Sequence, residues 1–263
     1  TLEAGNPLVR RREAALGNLI TDAMMAYGKG FSQQPDLAII NGGGIRAAIE
    51  GPEITLKDVI TVLPFGNMYS SIEVTGQQIL EMFEYSYNDT PAQDDNGNYV
   101  LNAKGGFLHV SGAKVIFNSA LPAGERVLDI LFDTDDGWVR IDLSKTYILA
   151  TNDFLAAGGD GFTMLGGPRI EGNSLDSVVA DFLRDHSTTL DWSAYEDQTP
   201  RTRILQIHVE ASTIDTLDNL LDDVTELDEG LYTKASYDAV IAAYDAAVAY
   251  LADTELEYIT EAV

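Results

Sequence analysis

The sequence predicts an α+β domain built on a mixed sheet, followed by a small all-α helical module. Three observations carry this. Strand-like segments outnumber helical ones over residues 1–208, yet helical periodicity recurs between them. Asp136-Gly137 between two strand-like runs is a hairpin signal, which puts antiparallel pairing in the sheet. Composition then changes near residues 208–213. All 23 glycines but Gly230 lie before residue 209, and residues 209–263 carry 14 acids and one base against 28 and 15 before them. The expected division is therefore 1–208 and 209–263.

The elements follow in order. Leu16, Leu19, Ile20, Ala23, Met24 and Tyr27 recur at helical spacing, predicting a helix from Glu13 to Tyr27. Asp36 to Ile40 is a short apolar run that ends in glycines, hence a buried strand opening into a loop. Thr55 and Asp58 have capping-box spacing, so a short helix should run to about Val62. Tyr69–Val74 reads as a strand, and Thr75-Gly76 opens a helix over Gln77–Tyr87. Residues 88–106 are polar and rich in Gly and Asn, which predicts a loop. Strands are expected at Ala113–Asn118, Val127–Phe132, Trp138–Leu143 and Tyr147–Thr151, a glycine-rich loop at Ala156–Gly161, a helix at Asn173–Arg184 and a last strand at Arg203–Val209. In the tail, apolar residues from Ile214 to Leu227 and from Tyr237 to Leu251 keep helical spacing. Gly230 sits where a helix ends, and Thr254–Glu257 opens a third helix.

Composition excludes several functions. With 42 acidic and 16 basic residues among 263, the formal net charge is −26, so no broad basic face exists to bind nucleic acid. An anionic membrane surface is equally disfavoured, and no apolar run of about 18 residues is present to insert into a bilayer. Cysteine is absent, which removes disulfides, thiolate metal sites and thiol catalysis. His109, His186 and His208 lie far apart, without metal-ligand spacing, so no cofactor or metal site is expected in this chain. The start, Thr1-Leu2-Glu3, is neither an initiator Met nor a signal peptide, and a processed fragment is expected.

Four stretches can carry chemistry. In Asn41-Gly42-Gly43-Gly44-Ile45-Arg46, the glycines permit positive φ and close approach of a ligand to the backbone. Arg46 can fork onto phosphate, and Asn41 can both donate to and accept from a base edge. By itself the loop reads equally as a flexible turn. Phe65, held between Pro64 and Gly66, suits stacking on a flat ligand, or else anchors its loop to the core. Asn152 to Phe162 holds a second exposed-type aromatic, Phe154, and Asp160 between glycines, where a carboxylate can accept from two ribose hydroxyls; a plain Ω-loop is the alternative. Arg10-Arg11-Arg12 is a local positive focus in an acidic chain, or a solvated run. Together these propose a nucleotide site. No nucleophile–base pair accompanies them, so the site looks built to bind.

These residues resemble the C-terminal, substrate-binding domain of the 5′-nucleotidase family, which includes UDP-sugar hydrolases and 2′,3′-cyclic nucleotide phosphodiesterases. The resemblance is collinear over about residues 8–208. It runs through Arg12-Glu13, Gly17–Met24, Asn41–Arg46, Leu63–Gly66, Gly105–Leu108, Ser111-Gly112 and Asn152–Phe162. It implies that Phe65 and Phe154 sandwich the base and that Asp160 binds ribose hydroxyls. It further implies that Asn41 contacts the base, that Gly43 binds substrate, that Arg46 meets the phosphate and ribose, and that Arg10 reaches phosphate. It also implies a separate N-terminal metallophosphatase domain, where two divalent metal ions activate water. Its Asp-x-His and Gly-Asn-His-Asp/Glu motifs are missing here, so this chain is expected to be inactive alone. The partners so implied are a nucleotide or nucleoside and that metallophosphatase domain. The alternative is a non-catalytic nucleotide- or nucleoside-binding module of a surface protein.

Residues 211–263, with Leu231–Ser236 followed by Tyr237–Ala243, resemble FIVAR-type three-helix modules of Gram-positive surface proteins. That resemblance implies an exported parent, extracellular or attached to a bacterial cell wall.

Overall fold

The structure is a computed structural model that describes residues 2, 7–50, 53–94, 97–135, 137–195 and 202–209. The predicted helical tail lies outside the described residues. The elements are α1 (Ala15–Gly28), β1 (Leu37–Asn41), α2 (Leu56–Val62), β2 (Met68–Thr75), α3 (Gly76–Ser86), β3 (Pro91–Gln93), β4 (Tyr99–Leu101) and β5 (Leu108–Ser111). They continue with β6 (Ala113–Asn118), β7 (Val127–Thr134), β8 (Gly137–Arg140), β9 (Thr146–Asn152), α4 (Asp153–Ala156), β10 (Arg169–Ser174), α5 (Leu175–His186) and β11 (Ile204–Ile207).

A five-stranded sheet runs β10-β2-β9-β1-β5, and a four-stranded sheet runs β11-β6-β7-β8. Both are mixed: β1–β9 and β11–β6 are parallel, and the remaining pairs in them antiparallel. The larger sheet is covered on both faces. Leu37 and Ile39 of β1 join Val74, Phe83, Tyr87, Phe117 and Ile130 in one core, between this sheet, α3 and the second sheet. Ala38 and Ile40 point the other way, against Leu16, Leu19, Ile20 and Met24 of α1 and Val178 of α5. All five β1 residues are buried, which is why this strand reads as an unbroken apolar run without alternation.

Local signals explain the helix starts. Thr55 and Asp58 form a reciprocal capping box, and Thr75 and Gln78 form a second one at the start of α3. Four expectations need correction. The loop predicted over 88–106 contains the short β3–β4 hairpin. β5 was not anticipated, being only four residues long with a histidine in it. The strand predicted over Trp138–Leu143 stops at Arg140, because the Asp142 carboxylate turns the chain by accepting from Ser144 N and Oγ (2.9 and 2.7 Å). The helix predicted from Asn173 starts at Leu175, because residues 169–174 pair with β2. Gly172 is needed there, since a Cβ would lie 2.6 Å from the Tyr27 ring.

The topology gathers four loops at one end of the larger sheet. Parallel β1 and β9 end side by side at Asn41 and Asn152. Antiparallel β2 begins at the same end, with Tyr69 opposite Asn152. Antiparallel β5 begins there too, with Leu108 opposite Asn41. Loops 42–46, 63–67, 104–107 and 153–162 therefore converge at the carboxyl ends of the parallel pair, where open mixed and parallel sheets place ligands.

Candidate functional site

The floor of this end is an amide–carboxylate chain. Asn152, fully buried, caps α4 by accepting from Leu155 N (2.8 Å) and donates from Nδ2 to Asn41 Oδ1 (3.3 Å). Asn41 Nδ2 in turn donates to Asp160 Oδ2 (2.7 Å). The ends of β1 and β9 and the loop that follows β9 are thus locked in one orientation. Among the described residues nothing else bonds the Asp160 carboxylate, and the residue is exposed, so Oδ1 is open to a ligand.

The triple glycine is needed for close approach rather than for positive φ, which none of Gly42, Gly43 and Gly44 adopts. A Cβ on Gly42 would collide with the Val9 carbonyl. One on Gly43 would lie 3.1 Å from the Gly105 carbonyl, and one on Gly44 3.1 Å from Asn41 Oδ1. The Gly43 amide donates to Gly105 O (2.8 Å), tying the loop to 104–107.

The two phenylalanines stand exposed, Phe65 at 58% and Phe154 at 44%, although a fold of this size has room to bury them. Each is held by its backbone. Gly66 takes φ 65°, which turns the chain directly after Phe65. Asp153 Oδ1 accepts from both Phe154 N (2.9 Å) and Met68 N (3.1 Å), so one carboxylate joins the two aromatic loops. The Phe154 ring rests on Gly159, where a Cβ would sit 2.6 Å from Cε2 and Cζ. A shallow depression beside Phe65 is lined by Ile40, Leu63, Asn67, Asn152 and Leu175.

Cations frame the site. The exposed Arg46 guanidinium lies 5.7 Å from the Phe65 ring centroid and donates to Gly43 O (3.4 Å). Arg10 ends a 3-10 turn, Leu8–Arg10, packed against the glycine loop, and its buried Nε has no hydrogen-bond partner among the described residues. Its neighbour Arg11 is used structurally, donating from Nε to Leu101 O (3.1 Å). Lys104 Nζ binds Tyr85 O (2.7 Å) and Asn88 Oδ1 (2.8 Å); burial lowers its pKa, opposed by Asp89 and Asp160.

The structure therefore brings Asn41, Gly43, Arg46, Phe65, Phe154 and Asp160 to one end of the sheet, with Arg10 against the same glycine loop. It adds residues to which sequence reasoning gave no role: Asn152, Asp153, Gly105, Gly159 and Tyr85. Asn152 and Asp153 carried a detectable signal, being short polar residues at a strand–helix junction. His109 belongs to the scaffold. Its fully buried ring lies on Gly17, Nε2 donates to Val9 O (2.9 Å), and desolvation lowers its pKa to about 4. Among the described residues, no group of three His, Cys, Asp or Glu is placed to hold a metal ion, and no helix is long and apolar enough to cross a membrane.

The mixed sheet thus carries two exposed aromatic rings, an oriented carboxylate and arginines around the carboxyl ends of its parallel pair. The chain belongs to the 5′-nucleotidase C-terminal domain family, whose model matches residues 2–167. It is 39% identical over 157 residues to the trifunctional nucleotide phosphoesterase protein YfkN of Bacillus subtilis, covering 59% of this chain and 10% of that one. It is 34% identical over 194 residues to a snake venom 5′-nucleotidase of Crotalus adamanteus, covering 66% and 31%. The fold matches the crystal structure of a 5′-nucleotidase precursor from Thermus thermophilus with a TM-score of 0.66 and 35% identity, covering 79% of this chain and 38% of that one. The chain thus spans between 10% and 38% of the length of these relatives.

Proposed function

We propose that this chain is the nucleotide-recognition domain of a hydrolase of nucleoside phosphates. One observation carries the reading: the exposed rings of Phe65 and Phe154 stand on loops clipped together by Asp153, at the sheet end where Asn41 orients Asp160. Phe65 and Phe154 stack on the two faces of the base, each contact contributing about 1–3 kcal/mol. Asn41 already uses Oδ1 and one Nδ2 proton within the floor, so it offers a base its remaining N–H, beside the Gly43 backbone. Asp160 accepts ribose hydroxyls at Oδ1. Arg46 and Arg10 meet the phosphate.

These residues bind and orient. The hydrolytic chemistry is assigned to a metallophosphatase domain carrying two divalent metal ions, toward which this domain presents the phosphate. An exported parent, extracellular or attached to a cell wall, is in keeping with a venom enzyme among the relatives. The test is a calorimetric titration with adenosine and AMP. Wild type should bind saturably and Phe154→Ala should lose binding. Wild-type silence at millimolar ligand would overturn the reading.

A further inference from the structure

We infer that Tyr85 is a positioning residue that sets ribose recognition by holding the Asp160 turn in its left-handed conformation. The inference rests on the ribose role proposed for Asp160. Asp160 is the one non-glycine with positive φ among the described residues (φ 53°), between Gly158 at 82° and Gly161 at 89°. An aspartate enters this region only where its surroundings specify it. Its side-chain oxygen meets Asn41, which orients the carboxylate but does not fix the peptide. The peptide is held from below. Tyr85 Oη, on α3, donates to the Asp160 carbonyl (3.0 Å), 75 residues away in sequence.

Tyr85 is itself braced. Its ring packs edge-on against Phe162 with centroids 5.0 Å apart, and Lys104 Nζ lies 4.0 Å from its centroid. The same Lys104 nitrogen binds the Tyr85 carbonyl (2.7 Å). Gly161 completes the fit, since a Cβ there would collide with Tyr85 Oη. The chain α3–Tyr85–Asp160–Asn41 thus connects a rigid helix to the open Oδ1. Removing the hydroxyl lets the 158–161 turn relax and swings the carboxylate off the ribose, with the aromatic faces left in place.

The test is Tyr85→Phe, which keeps both ring contacts and deletes only the donor. Affinities for adenosine and 2′,3′-dideoxyadenosine are measured calorimetrically on wild type, Tyr85→Phe and Asp160→Asn. Amide exchange across residues 158–162 is followed without ligand. Asp160→Asn should abolish the preference for adenosine. Tyr85→Phe should reduce that preference about 3- to 10-fold, the worth of one hydrogen bond, leave dideoxyadenosine affinity unchanged and speed exchange in the turn. If Asp160→Asn loses the preference while Tyr85→Phe keeps it, or weakens both ligands equally, the inference is overturned and the Asp160 reading stands. If Asp160→Asn retains the preference, or wild type has none, the ribose reading fails and the inference with it.

Discussion

Lowering the pH from 7 to 5 weakens this fold through one buried imidazole. His109 is fully buried, Nε2 donates to Val9 O, and Nδ1 has no partner among the described residues. Desolvation, reinforced by the nearby Arg203 charge and only partly offset by the Val9 bond, lowers its pKa from 6.5 to about 4. Between those values the unfolded chain binds a proton that the folded chain does not. Stability from this group is therefore complete above pH 6.5 and falls as the pH falls toward 4. The linkage amounts to about 2 kcal/mol by pH 5 and about 3 kcal/mol once the folded-state pKa is passed. The site is affected too, because Val9 precedes Arg10 and abuts Gly42. The assay is urea denaturation at pH 7, 6 and 5 on wild type and His109→Gln, a side chain that can donate to Val9 and does not titrate. Taking the difference between the two proteins cancels the carboxylates and the other histidines. Wild type should lose about 2 kcal/mol more than the variant between pH 7 and 5. Parallel curves would refute the reasoning, as would a ring that NMR finds protonated at pH 5 in the folded protein.

Three further outcomes follow from named contacts. Gly159→Ala places a methyl 2.6 Å from both the Phe154 ring and the Phe154 carbonyl oxygen, so ring and turn must shift; it should weaken base binding by about 5- to 100-fold and lower the unfolding midpoint, read by calorimetry and melting. Asp153→Ala unties the two aromatic loops and should lower affinity for adenosine and dideoxyadenosine alike, the opposite selectivity to Tyr85→Phe. Asp22 accepts from both Nη atoms of Arg203 (2.8 and 2.9 Å) and from Tyr195 Oη (2.8 Å). Asp22→Ala should then cost about 2 kcal/mol in urea denaturation, less than a fully buried pair because both side chains are about a fifth exposed.

What the sequence disclosed follows from the range of each signal. The α1 helix was legible because its apolar stripe is long, and both sheet directions were legible from a hairpin beside helical segments. β5 and β10 were not. β5 holds its buried His109 for packing over Gly17, and β10 is an edge strand interrupted by Gly172 and a bulge. In the site, Asn41, Gly43, Arg46, Phe65, Phe154 and Asp160 stood out because each breaks a local rule: glycines in series, or aromatics and acids between turn residues. Tyr85 breaks none. On α3 it reads as part of a helix face, and its meaning appears only when the fold brings residue 160 above it. Glu13 is similar, accepting from the amides of Arg203 and Ile204 (2.9 and 2.8 Å) across the whole domain. Long-range partners of this kind leave no spacing to read.

The central claim is that a base lies between Phe65 and Phe154. It is tested most directly by NMR on chain carrying ring-labelled phenylalanine, with adenosine at saturation. The account predicts intermolecular NOEs from both Phe65 and Phe154 to adenine H2 and H8, and none from Phe31 and Phe182, which pack against the α1–α5 core. NOEs to only one ring, or adenine contacts away from the carboxyl ends of β1 and β9, would contradict it.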